Sequence, residues 1–322
     1  MTPAPPGRSW GYWTRAKLEI LTEYLGAFAT ASSGQSERVY LDAFAGEGRG
    51  LDRLTAEKFP GSPRIALETA EGAGFTRFRF FELERKASEL ESRLQSDYPD
   101  ADIKVYGGDC NETIPAALAE LRPLRWAPTF AFLDPDGMEL AWETLAALAE
   151  HKRGYRAPDS LKPEFKVEMW TLFPTSGIVR TLALEAGKVS PADEARATRL
   201  FNTEQWRPIY ELRLAHRITA AEARDEYVNL MRWRLEHDLG YRFTHPFELK
   251  NTRGGTVYHM IFATDHDAGT RIMESIYARA ARRVPQMRNE ARDRARGQLS
   301  FELGAEATGE GYRYEPPWEP RP

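Results

Sequence analysis

Residues 40–50 read YLDAFAGEGRG, an apolar stretch that runs into three alternate glycines. The apolar run from Val39 to Phe44 predicts a strand, and the glycine cluster predicts that it stops in a tight turn. Gly46, Gly48 and Gly50 permit positive φ and close approach of the backbone to a ligand. A helix following the turn would aim its amide donors at that ligand. Asp42 stands at the carboxyl end of the strand, the edge at which open α/β sheets bind ligands. The turn lacks the G-x-G-x-x-G spacing of a dinucleotide site, and Glu47 inside it would repel a pyrophosphate. A carboxylate such as Asp42 suits the cationic amino-acid end of S-adenosylmethionine instead.

Working outward, residues 13–28 place Leu18, Leu21, Leu25 and Phe28 on one helical face. Ser62 is expected to cap a helix with Pro63 at its first position. Residues 78–82 read as a second strand, 85–98 as a helix, 103–106 as a third strand and 129–133 as a fourth. Residues 139–150 are helical and 165–173 form a fifth strand. This alternation predicts βαβ units and a parallel, Rossmann-like α/β sheet. Strand signals vanish from 178 to 240, where 220–239 is strongly helical. Two strands, 241–250 and 256–264, are then joined by Asn-Thr-Arg-Gly-Gly and followed by a helix over 269–281. They either finish the main sheet as an antiparallel hairpin or form a winged-helix-like module with the insertion. The expected division is a flexible 1–12, a core 13–177, a helical insertion 178–240, a completing unit 241–283, and a basic segment with a flexible tail 284–322. Trp318 in that tail is not expected to join a core.

The 322 residues are 42% hydrophobic and 29% charged, an ordinary globular balance. A net charge of -4 excludes a chain-wide basic footprint for nucleic acid but leaves local patches open. The single cysteine, Cys110, excludes an internal disulfide and a cysteine-based metal centre. The histidines show no metal-ligand spacing, so no metal is expected. With no apolar signal core and no run long enough to span a bilayer, a cytoplasmic protein without a membrane partner is expected.

Acid-ended strands recur along the chain. Glu82 ends the second strand, placed to accept from ribose hydroxyls. The third leads through Gly107 and Gly108 to Asp109, Cys110 and Asn111, where a carboxylate meets the adenine amine and Cys110 lines the pocket. The fourth ends Asp134-Pro135-Asp136-Gly137, where catalytic or substrate-positioning groups sit. One acid at a strand end is usually a cap or a solvated end. Four in order, the first with a glycine turn, point to a cofactor. The expected cofactor contacts are Asp42, Phe44, Ala45, Gly46, Glu47, Gly48, Glu82, Asp109, Cys110, Asn111 and Asp134. Asp134, Asp136 and Lys17 are the candidates for catalysis. Cys110 lies beside Asp109 rather than in the fourth-strand loop, which argues against a nucleophile.

At these residues the chain resembles the three-Cys-motif partner proteins (TcmP). The likeness is carried by WTRAKLEIL with Lys17, YLDAFAGEGRG, GSPRIAL, FFE, GDCN, FLDPDG, FPTSGIVR and YHMIFATDH, over most of residues 13–281. The resemblance implies a class I methyltransferase-like fold, S-adenosylmethionine as cofactor and a radical-SAM-like partner bearing three cysteines. It supplies no substrate. Where the family pattern has Pro, this chain has Glu47, and where an aromatic is expected it has Asp136. An Asp-Pro-Pro-aromatic loop holds a flipped base by stacking. Asp136 cannot stack, whereas Asp134 can still accept from an amine or act as a base.

The remaining cations keep two readings each. Lys17 either covers the cleft or is solvated, and Arg15 reads as solvated. Arg180 is either a phosphate contact or a surface charge. Arg279, Arg282, Arg283, Arg288, Arg292, Arg294 and Arg296 either meet nucleic acid, Arg282 and Arg283 foremost, or form a solvated helix face. Residues 298–301, QLSF, look like a docking peptide for a DNA sliding clamp. The chain thus reads as a SAM-dependent methyltransferase-like enzyme acting on nucleic acid, in DNA repair or modification with its partner. The alternatives are a non-catalytic accessory protein of that partner, or a methyltransferase for protein or small molecules.

Overall fold

The strand before the glycine turn is buried along its whole length and sits in the middle of a seven-stranded sheet. The computed structural model of the chain describes residues 9–52, 58–69, 74–153, 165–182, 189–296 and 312–321. In chain order, β1 (Ser9–Trp10) and α1 (Tyr12–Ala31) lead to β2 (Val39–Asp42), β3 (Arg49–Asp52), β4 (Lys58–Pro60) and α2 (Ser62–Glu68). The βα units continue as β5 (Arg77–Glu82), α3 (Glu84–Asp97), β6 (Asp102–Gly107), α4 (Cys110–Glu120), β7 (Thr129–Leu133), α5 (Trp142–Glu150) and β8 (Glu168–Phe173). Four helices follow, α6 (Thr175–Thr181), α7 (Pro191–Phe201), α8 (Trp206–Leu214) and α9 (Ala220–His237). The hairpin β9 (Phe243–Lys250) and β10 (Thr256–Thr264) precedes the long α10 (Asp267–Ala295).

The main sheet has the order β6-β5-β2-β7-β8-β10-β9. The first five of these strands are mutually parallel, and β10 is antiparallel to both β8 and β9. This is the expected Rossmann-like sheet with a terminal hairpin, and β9–β10 belongs to it rather than to a separate module. Chain direction through the sheet reverses at β2, because β5 lies on one side of it and β7 on the other. A crevice opens at such a reversal, outside the carboxyl ends of the strands.

Side-chain alternation along β2 assigns the two faces. Val39 and Leu41 join a core with α4, α5 and the α6–α9 helices, through residues such as Ile114, Leu145 and Tyr227. Tyr40 joins Phe78, Phe80, Phe130, Phe132 and Trp170 beneath α1, α2, α3 and α10. The α1 stripe is buried as its spacing predicts, with Leu21 and Leu25 both at 0% exposure.

Four expectations need correction. No helix follows the glycine turn directly: β3 and β4 intervene, pairing with each other and, through β3, with β1. Their three-strand sheet was not foreseen, because strands of two to four residues carry too little periodicity to register. Ser62 is not the cap of α2; Gly61 holds that position and Ser62 is already helical. The last helix continues to Ala295 through Pro285, well beyond residue 281. Finally, residues 312–321 are docked rather than loose, although Trp318 itself stays outside the core at 50% exposure, as expected. The Asn229 amide accepts from Trp318 N at 2.9 Å and donates to Trp318 O at 2.8 Å, and the Tyr314 hydroxyl donates to Glu236. The QLSF stretch lies outside the described residues. No helix among the described residues is long and apolar enough to cross a membrane.

Candidate functional site

The first acid of the series lies wholly inside the protein. Asp42 is 0% exposed, and its carboxylate accepts from Phe44 N at 3.2 Å, from the Tyr40 hydroxyl at 3.4 Å and from the Ser62 hydroxyl. Burial pushes its pKa up to about 7, against those hydrogen bonds, with nearby Asp134 adding to the rise. Tyr40 shares a face with Asp42 because the two are separated by one strand residue. Ser62 arrives because Gly61 N donates to Gly48 O at 3.1 Å. A Cβ on Gly61 would meet the Gly48 carbonyl carbon at 2.9 Å, so only glycine lets α2 lean on the turn. Within the turn Gly46 and Gly48 have φ of 62° and 69°, the left-handed region that glycine adopts without strain. Phe44 is half-buried and Ala45 buried, while Glu47 is exposed and pairs with Lys86 at 3.2 Å.

The second and third acids are open on one side. Glu82 uses one oxygen to accept from Leu83 N at 2.9 Å, and Leu83 itself is 54% exposed, an apolar side chain beside the carboxylate. Asp109 caps α4 by accepting from Asn111 N at 2.9 Å, and its other oxygen is 4.0 Å from Arg199 of α7. Asn111 is fully engaged. Its amide donates to Asp109 and to Glu139 O, and its oxygen accepts from Ala141 N and the Thr144 hydroxyl. It therefore ties the α4 N-terminus to the loop after β7. Cys110 turns into the apolar core at 6% exposure, so it does not line an open pocket, and burial pushes its thiol up to about 12. A thiol so protonated is a poor nucleophile.

The fourth acid meets the first helix. Lys17, 5% exposed, crosses from α1 to form an ion pair with Asp134 just beyond β7. Its Nζ lies 6.0 Å from the Phe132 ring centroid and 5.4 Å from that of Tyr258. Buried and paired, Lys17 is not the solvated charge of its other reading. Tyr258 is missed by sequence reasoning: its hydroxyl is buried without a hydrogen-bond partner among the described residues, within the influence of Asp134. No local pattern marks it, because it reaches the site from β10 by tertiary packing alone. Asp136 is exposed in the same loop.

The three cations expected to contact nucleic acid lie on α6 and α10. Arg180 is exposed on α6, donating to Ser176 O at 3.2 Å. Arg282 is exposed midway along α10. Arg283 is bound by Glu19 and Glu23 of α1, at 3.0 and 2.6 Å, which leaves it a structural clamp rather than a phosphate ligand.

No protein-family model and no curated protein match the chain. Among solved structures, protein LPL1258 from Legionella pneumophila str. Philadelphia 1, of the family model DUF519, is similar at 12% identity. The likeness covers 76% of this chain and 84% of that one, with a TM-score of 0.41. The Rossmann-like fold is recognised from strand order and direction.

Proposed function

We propose that this chain is a methyltransferase-like protein that binds S-adenosylmethionine at the carboxyl edge of β2, β5 and β6 and acts on nucleic acid. The observation that carries the reading is the convergence of Asp42, Glu82, Asp109 and Asp134 at the ends of four adjacent parallel strands, around a left-handed glycine turn at the reversal point.

The residues fit that cofactor. Glu82 keeps one oxygen for a ribose hydroxyl, and exposed Leu83 beside it offers an apolar face to a nucleobase. Asp109 and the Gly46–Gly48 backbone complete the cradle. Asp42 acts from behind the turn, ordering it through Phe44 N and supplying negative potential for a cationic amine. When bound, the cofactor supplies an activated methyl on a sulfonium. The protein's share is to align an acceptor with it and to exclude water. Asp134, held by Lys17, is placed to accept a proton or hydrogen bond from an acceptor amine. The resemblance to TcmP adds a radical-SAM-like three-cysteine partner, with which the chain would act in DNA repair or modification.

A second reading is favoured by one observation. Lys17 neutralises the carboxylate nearest the chemistry, which suits an accessory protein that keeps the cofactor and positions its partner. Calorimetric titration with S-adenosylmethionine tests the common part: saturable binding that weakens in Glu82→Ala is expected, and no binding would sink both readings. Labelled methyl transfer to DNA, RNA and total protein, wild type against Asp134→Ala, then separates enzyme from accessory protein. Co-purification with a radical-SAM-like three-cysteine protein tests the partner.

A further inference from the structure

Most of the arginines on α10 spend their charge within the molecule. Arg279 and Arg283 tie the helix to Glu23 of α1, and Arg294 pairs with Glu290 at 3.5 Å. The balance differs at the carboxyl edge of the sheet. There β10 lies antiparallel to β8 with His259 opposite Phe173, so the β9–β10 turn emerges at the same edge as Asp42 and Asp134. Arg253 sits exposed in that turn. The Tyr12 hydroxyl at the start of α1 donates to Lys250 O at 2.5 Å, which ties α1 to the turn. Arg288, near the end of α10, lies close enough to Tyr12 to oppose the burial that raises its pKa. From the other side, the Ser176 hydroxyl of α6 donates to Thr256 O, and Arg180 follows one turn later. Arg180, Arg253 and Arg288 have no acidic partner among the described residues, and Lys250 pairs with Glu248 at 2.9 Å.

We propose that Arg180, Arg253 and Arg288 form a phosphodiester-binding rim that lays a nucleic-acid strand along the carboxyl edge of the sheet, past Lys17 and Asp134. This rests on the nucleic-acid reading above and locates it. The physical reason is that a surface cation without an acidic partner binds phosphate at little internal cost, releasing counterions, whereas Lys250 would have to give up Glu248 and Arg283 two carboxylates. Helix α6, the β9–β10 turn and helix α10 contribute one cation each, which makes the rim a product of tertiary structure.

The test uses the full chain and labelled single-stranded DNA, duplex DNA and RNA oligonucleotides, with fluorescence anisotropy read across a salt series. The Arg253→Ala/Arg288→Ala variant is compared with wild type and with Arg271→Ala, an exposed arginine near the opposite end of α10. The double variant should lose about tenfold in affinity at low salt, with a salt slope smaller by up to about 2, while Arg271→Ala follows wild type. The tightest arm identifies the strand. If wild type binds but the double variant binds equally well, or Arg271→Ala weakens binding as much, the rim is wrong and the nucleic-acid reading stands. If wild type binds no oligonucleotide at the lowest salt, both fall.

Discussion

Asp42 is the residue whose protonation most directly reports on the site. Its pKa of about 7, raised by burial, leaves it partly protonated near neutrality. A cationic amine bound beside it favours the carboxylate form, so cofactor binding at pH 7 should release protons. Titrations in two buffers of different ionisation enthalpy should then give different apparent heats, and the difference should vanish in Asp42→Asn. Equal heats for wild type would remove Asp42 from the site. Lys17 and Asp134 make a second residue-scale prediction. Breaking a buried pair typically costs about 3–5 kcal/mol. Because 22% of the Asp134 side chain is exposed, water can partly solvate it in Lys17→Met, and the loss should sit at the low end of that range. Urea denaturation should show the Lys17→Met/Asp134→Asn double variant recovering part of it. A strictly additive double variant would mean that the pair contributes nothing to folding.

At the scale of elements, the main clamps join parts of the chain that are far apart in sequence. α10 is fastened to α1 by Arg279 and Arg283, and the C-terminal segment is fastened to α9 by Asn229 and Arg232. Both α9 side chains are buried, at 2% and 5% exposure, and both read main-chain atoms of that segment. Asn229→Ala removes both hydrogen bonds to Trp318, a loss of about 1–3 kcal/mol by the usual worth of such bonds. Amide exchange over residues 312–321 should accelerate while α9 keeps its protection. Unchanged exchange would show that aromatic packing alone, Tyr312 on Tyr277 and Tyr314 on Phe243, holds the segment. The long elements were legible in sequence, because α1 and α3 bury periodic stripes and the strands are apolar runs, whereas α9 is buried on every side from Glu226 to Arg232. The docking of residues 312–321 was not, since a Pro- and Glu-rich stretch signals nothing about a groove built elsewhere.

For the molecule as a whole, buried titratable groups set the response to acid. His245, His259 and His151 are held down by burial to about 3, 4 and 4. Each folded-state pKa is depressed, so the stability each contributes is present above the unfolded value near 6.5 and is lost as pH falls below it. Asp42, Glu168, Asp225 and Glu236 are raised by burial and act in the opposite sense, stabilising at low pH and losing that contribution as pH rises. The two sets oppose each other below pH 6.5, so one histidine is read by comparing its variant with wild type. As pH falls from 6.5 to 4, the thermal midpoint of His245→Gln should rise relative to that of wild type, by about one proton's worth of slope. A difference between the two that stays constant with pH would refute a depressed His245.

By itself the sequence determined the parallel sheet, the glycine turn and the four acid-ended strands. Those features are local: hydrophobic period, glycine placement and a carboxylate at a strand end act over a few residues. Only the tertiary structure decided which acids are open, and that Lys17 reaches Asp134. It also decided that Asn111 is a staple, that Arg283 is consumed by α1, and that Tyr258 belongs to the site. Those contacts join residues from 28 to 260 positions apart, beyond the few residues over which sequence periodicity speaks.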